Sequence, residues 1–145
     1  MNIPEYVTVG EVRRVCAALG IRDWTQLTSP QVDLAEARIV YDALDVQDKQ
    51  IALDDFRAGL EVELEHGTMF SDTNVTNNHP LLTGRIVLAH FKELPDYYKR
   101  LEVAEIEGDV IKALVANNPA KLEKLYRKLA QARLALSEDE ARRLG

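Results

Sequence analysis

At 145 residues, with 46% hydrophobic and 29% charged side chains, the chain has the size and balance of one globular domain with a real core. Its formal charge of −6 is uneven: residues 1–98 carry 8 basic and 16 acidic groups, residues 99–145 carry 10 and 8. A broad acidic surface repels phosphate backbones, which argues against nucleic acid as a partner, and no apolar run approaches the ~18 residues that a membrane span needs.

The first residues lack the basic-then-apolar pattern of a signal peptide. One cysteine makes no internal disulfide, so a cytoplasmic, reducing setting is expected and Asn74-Val75-Thr76 is a chance sequon. Thr8 to Glu11 reads as a capping box, with Thr8 capping and Glu11 reaching back. The helix it opens places Val12, Val15, Cys16 and Leu19 on one face and ends at Gly20; Cys16 reads as a core residue.

Residues 7–21 align with 32–46 as a weak internal repeat, in which Asp33 and Glu36 take the places of Thr8 and Glu11. The second copy runs into helix, Asp-containing loop, Ile51 and Asp54-Asp55-Phe56, an EF-hand-like arrangement. Calcium needs oxygen ligands at alternate loop positions, a glycine at the turn and a closing glutamate. Here Val46 and Lys49 intrude and the glycine is absent, which argues against calcium.

Asp54 or Asp55 should cap a helix that runs to His66 and stops at Gly67, followed by a polar loop over 68–82. A helix over 83–94 comes next, then another with Pro95 in its first turn. Tyr97, Leu101, Ala104, Gly108, Ile111 and Val115 recur at 4-3-4-3-4 spacing along that helix and are expected to be its buried stripe. Asn118-Pro119 opens a long amphipathic helix with Leu122, Leu125, Leu129, Ala132 and Leu136 as a narrow seam, and a separate turn begins at Ser137. The expected fold is all-α, a single-domain helical bundle with a core over 1–117 and a C-terminal helix and tail over 118–145. That seam either packs the helix on its own domain, with a solvated basic rim, or is a candidate face for a protein partner or for self-association.

The polar groups of the middle helices carry the one candidate site. On a helical wheel Phe56, Gly59, Leu60 and Leu64 define an inner arc that also takes in Glu63 and His66, whereas Glu61 and Glu65 point away. In the next helix Ile86, Val87, Phe91 and Leu94 define the inner face, with His90 in its middle and Glu93 beside it. Burying an unpaired carboxylate costs several kcal/mol, so Glu63 needs a partner. Three readings stay open. Glu63, His66, His90 and Glu93 form a buried network with Tyr97 or Tyr98 as the hydroxyl, or they ligate a single zinc, iron or manganese ion, or the wheel is off and they lie at the surface. A single Glu-x-x-His motif disfavours a di-iron bundle, and no nucleotide-binding, hydrolase or zinc-protease signature occurs.

The stretches GLEVELEHG (59–67) and NVTNNHPLLTGRIVLAHFKELPDYYKRLEVAE (74–105) supply a resemblance. They carry a Gly-x-x-Val-Glu-x-Glu-His run at Gly59, Val62, Glu63, Glu65 and His66. A Thr-Gly-x-Ile run with its His and Glu-x-Pro follows at Thr83, Gly84, Ile86, His90, Glu93 and Pro95, and a Tyr-Tyr-x-x-Leu close at Tyr97, Tyr98 and Leu101. Over residues 56–105 the chain resembles an uncharacterised family of small domains in bacterial and phage proteins, a domain of unknown function, with Val87 and Phe91 as departures. The resemblance implies a helical fold and a phage or prophage setting, with association with a virion as one location, and supplies no activity. The expected role is a non-catalytic interaction or structural module; the alternative is a metal-binding protein or metal-dependent enzyme built on the Glu/His cluster.

Overall fold

The computed structural model describes residues 6–44 and 51–145. Among them the regular structure is helical throughout, in the order α1 (Val9–Leu19), α2 (Leu34–Ala43), α3 (Leu53–Met69), α4 (Pro80–Glu93), α5 (Tyr97–Val115) and α6 (Pro119–Leu144). Short 3-10 turns lie at Trp24–Gln26 and Ser71–Thr73. The chain divides into two compact units at Leu94 rather than at residue 118, because α6 makes its packing contacts with α5. The loop read as EF-hand-like falls on residues 45–50, outside the described residues.

In the first unit α1 to α4 close on Trp24, Phe56, Leu60, Leu64 and Val87, none more than 1% exposed. Thr8 does cap α1, its Oγ1 accepting from the Glu11 N–H at 3.1 Å, but the Glu11 carboxylate engages Arg14 instead of reaching back. Gly20 ends α1 in the left-handed conformation, as expected. Cys16 is buried, and burial raises its thiol pKa.

The second copy of the repeat has diverged in use. Asp33 sits at the N-cap of α2 without a capping hydrogen bond, and Glu36 is buried. The Glu36 carboxylate accepts from the Arg22 backbone N–H at 2.9 Å and from its guanidinium at 2.6 to 3.0 Å. Burial alone would raise the Glu36 pKa and is the largest influence; the hydrogen bonds and charge of Arg22 together outweigh it and lower the pKa.

Gly67 does not stop α3, which runs two residues further to Met69. It is a glycine for a different reason: a Cβ there would lie 1.8 Å from Oδ1 of Asn78. Likewise the polar loop is shorter than expected, because α4 begins at Pro80. Gly84 faces Leu44, Val40 and Phe56, with space for no side chain.

The second unit is an antiparallel hairpin of α5 and α6. Its core is Ile106, Val110 and Ala113 of α5 against Leu125, Leu129 and Ala132 of α6, with Val103 and Leu122 partly buried around it. The α6 seam therefore lies on α5, with Leu136 half-buried at its far end. The stripe expected to be buried on α5 is the wrong one: Tyr97 and Leu101 are half-buried, while Ala104, Gly108, Ile111 and Val115 are exposed. The helix carries two apolar stripes, and α6 covers the other. No separate turn begins at Ser137; α6 continues, tied by Lys99 to Asp139 at 3.2 Å and Arg100 to Glu140 at 2.6 Å. Asp96 has a fully buried side chain that accepts from Arg100 at 2.8 Å and from Arg143.

Alanine usually stabilises a helix interior by about 1 kcal/mol over glycine. Gly67→Ala should instead lower the stability of the first unit by about 2 kcal/mol through the overlap with Asn78. Gly10→Ala, where only Thr8 Oγ1 lies near, should raise it by about 0.5 kcal/mol. Urea unfolding of the two variants checks the contrast, and equal effects would refute the packing role of Gly67.

Candidate functional site

Glu63 and His90 meet across the α3–α4 contact. The Glu63 side chain is 10% exposed, and its Oε1 lies 3.4 Å from His90 Nε2. Its other oxygen is 3.8 Å from Nδ1 of His66, one turn along the same helix. On the far side of the His90 ring, Nδ1 is 3.5 Å from Glu93 Oε2. The four residues thus form a chain, His66–Glu63–His90–Glu93, running from α3 onto α4.

Exposure grades along that chain. His90 is 27% exposed, while His66 and Glu93 are 66% and 70% exposed. The inner face of α4 is made by Thr83, Gly84, Val87 and Phe91, and Ile86 is turned outward. The wheel centred on Ile86 was therefore rotated, which moves His90 from the middle of the face to its edge and Glu93 beyond it. Among the described residues no group of three or more His, Cys, Asp and Glu is placed to hold a metal ion. What the arrangement can do is hydrogen-bond across the two helices, the imidazole nitrogens of His90 facing the carboxylates of Glu63 and Glu93. Tyr97 and Tyr98 belong to α5 in the second unit, where their rings stack edge to face at 5.1 Å.

Glu61 is not the idle surface charge that its wheel position implied. Its Oε1 accepts from the backbone N–H of Val32 at 3.0 Å, joining α3 to the segment before α2. Glu65 is half-buried.

The polar group that sequence reasoning missed lies in the loop between α3 and α4. Asn77 and Asn78 both adopt the left-handed conformation, with φ of 49° and 60°, which asparagine tolerates better than most residues. Asn77 donates to the Val7 carbonyl at 2.6 Å. Buried Asn78 donates to the Trp24 carbonyl at 3.1 Å and accepts from Asn74 at 3.3 Å. His79 is buried and its Nδ1 accepts from the Leu82 N–H at 3.4 Å, closing the first turn of α4. The doubled Asn77-Asn78 ahead of a proline was the available signal, since that pair marks a turn needing positive φ. The Trp24 indole N–H, also buried, has no partner among the described residues, at a cost of about 1–3 kcal/mol that burying the ring must exceed.

Burial lowers the His79 pKa, with the Glu11 charge opposing that shift and Arg14 adding to it. The unfolded chain then binds a proton that the folded one resists, so stability falls as pH drops below the ordinary histidine value of 6.5. His79→Asn, which keeps an acceptor at the helix start, should flatten the stability profile between about pH 7 and pH 5. Thermal melts across that range read the slope; an unchanged slope would refute the assignment to His79. Separately, Glu63→Ala should destabilise by about 1–2 kcal/mol and Glu93→Ala by less than about 0.5 kcal/mol. A double-mutant cycle of Glu63 with His90 should show coupling, and additive losses would mean that the two act independently.

A family described as protein of unknown function (DUF5661) matches residues 12–107. The match takes in most of α1, all of α2 to α4 and the first half of α5, well beyond the 56–105 stretch that carries the resemblance. No curated protein and no solved structure matches the chain.

Proposed function

The chain belongs to the DUF5661 family, whose function is unknown, and on that premise we propose that it is a non-catalytic interaction module. The observation that carries this reading is the outward face of α5. Ile111 is 60% exposed and Val115 85%, on the same stripe as exposed Ala104, and among the described residues α6 packs on the other side of the helix. Exposed apolar side chains gathered on one helix face mark a surface that another molecule covers. In this reading the Glu63–His90 pair is a structural latch between α3 and α4. A cytoplasmic location and the bacterial or phage setting that the resemblance implies, including a small virion component, belong to the same proposal.

The second reading is a metal-binding protein, with Glu63, His66 and His90 as ligands and Glu93 as a fourth ligand or outer partner. It is favoured by the two oxygens of Glu63 each facing a different imidazole. Elemental analysis of untagged protein separates the two: stoichiometric zinc, iron or manganese would replace the latch by a metal centre.

Placing a photo-crosslinking residue at Ile111, in protein expressed in its source cells, tests the interaction reading. A covalent adduct of defined mass is expected from Ile111, with none from the same residue at exposed Lys124 of α6. No adduct at Ile111, either with another protein or with a second copy, would overturn it.

A further inference from the structure

We propose that His79 is an acid-released latch, whose protonation frees residues 74–79 from the entry to α1 and from the Trp24 turn while α3 behind them stays folded. The imidazole stands at the start of α4, 8% exposed, and its Nδ1 accepts from the Leu82 N–H at 3.4 Å. Three features of that position oppose a second proton. An imidazolium carries a proton on both nitrogens and cannot accept, so the Leu82 N–H would lose its cap. The N-terminal end of a 14-residue helix carries partial positive charge, which repels a cation. Burial also withholds the water that would solvate the charge. The charged groups that face His79 are Glu11 and Arg14, both of α1, and they pull in opposite directions. They are paired to each other at 2.6 Å, so Glu11 is no free counter-ion for the imidazolium.

Residues 74–79 are held by polar contacts more than by packing. Asn77 reaches the Val7 carbonyl at 2.6 Å, Asn78 the Trp24 carbonyl at 3.1 Å and Asn74 the Asn78 side-chain oxygen at 3.3 Å. Val75, their one large apolar side chain, is 86% exposed. Asn77 and Asn78 also keep left-handed backbones, which persist only where the surroundings enforce them. In α3, by contrast, Phe56, Leu60 and Leu64 are no more than 1% exposed. Opening the segment therefore gives up a short set of hydrogen bonds, whereas opening α3 gives up the core of the unit.

Once the segment is open, His79 returns to the ordinary histidine value of 6.5, above its value in the closed fold. The open form thus takes the proton first, and acid draws the equilibrium toward it. The opening constant should rise by up to about tenfold for each pH unit below 6.5, until the closed form is protonated as well. In acid the carbonyls of Val7 and Trp24 and the amides of Asn77 and Asn78 are then released to solvent, and at neutral pH they are not.

Hydrogen exchange of the full chain at about pH 7 and pH 5, corrected for the intrinsic effect of pH on exchange, reads the opening segment by segment. The amides to follow are His79, bonded to the Thr76 carbonyl, Leu82, bonded to the imidazole, and Thr83, bonded to the His79 carbonyl. Their protection should fall more than about threefold in acid, while the amides of residues 57–64 in α3 keep theirs. His79→Asn, which accepts without titrating, should abolish the change. Glu11→Gln, which removes the charge favouring the proton and leaves Arg14, should enlarge it. Equal loss of protection at 57–64 would make the event an unfolding of the whole unit and overturn the latch. So would a change below about twofold at the three amides, a change that survives His79→Asn, or a smaller change in Glu11→Gln.

Discussion

Asn78 stands where three parts of the first unit meet, and its side-chain amide is committed to each of them. It donates to the carbonyl of Trp24, accepts from Asn74, and occupies the space that Gly67 leaves at the end of α3. A buried amide left without partners would cost about 1–3 kcal/mol, so these contacts are obligatory rather than decorative. Its left-handed backbone also aims the chain so that His79 can cap and Pro80 can start α4. The direction of α4 then decides what faces what: Gly84 meets α2 and Phe56, and two turns on His90 comes opposite Glu63. The candidate polar cluster is thus a consequence of the loop that precedes it.

Much of this was legible because it follows from periodicity and from the cost of stranded charge. The cap and inner face of α1, the apolar inner face of α3 and the need of Glu63 for a partner all come from single-helix arguments, whereas His66, read into that inner arc, is 66% exposed. What was not legible depends on neighbours. A helix wheel fixes relative angles but not which arc faces inward, so α4 was rotated and His90 moved to an edge. On α5 the ambiguity is complete, because two apolar stripes satisfy the same period and only the position of α6 chooses between them. Gly67 shows the same limit at one residue: a glycine near a helix end resembles a terminator until the atom it makes room for is known.

The two units use the same answer for a deeply buried carboxylate. Glu36 is held by Arg22, and Asp96 by Arg100 and Arg143. In both, burial alone would raise the pKa and is the largest influence, and the arginine contacts together bring it below the usual carboxylate value. Such pairs give little net stability over apolar packing, but removing one member strands the other. Their value here is positional. Glu36 fixes the segment after α1 to α2, and Asp96 fixes the last turns of α6 to the start of α5. Neither was apparent from sequence, since Glu36 occupies a capping position in the repeat and Asp96 the N-cap of α5, the roles that acidic residues at helix starts usually fill.

Cys16 gives the chain a reporter of its own. It is the only cysteine, it is 1% exposed, and burial makes its thiol still less nucleophilic by raising its pKa. A thiol reagent can therefore react only when the core around α1 opens. The second unit contains no thiol at all. The rate of modification of the unaltered protein, compared with the loss of helical signal from the whole chain, consequently times the opening of one unit against the melting of both. It shows whether the two halves behave as one cooperative body or come apart in sequence.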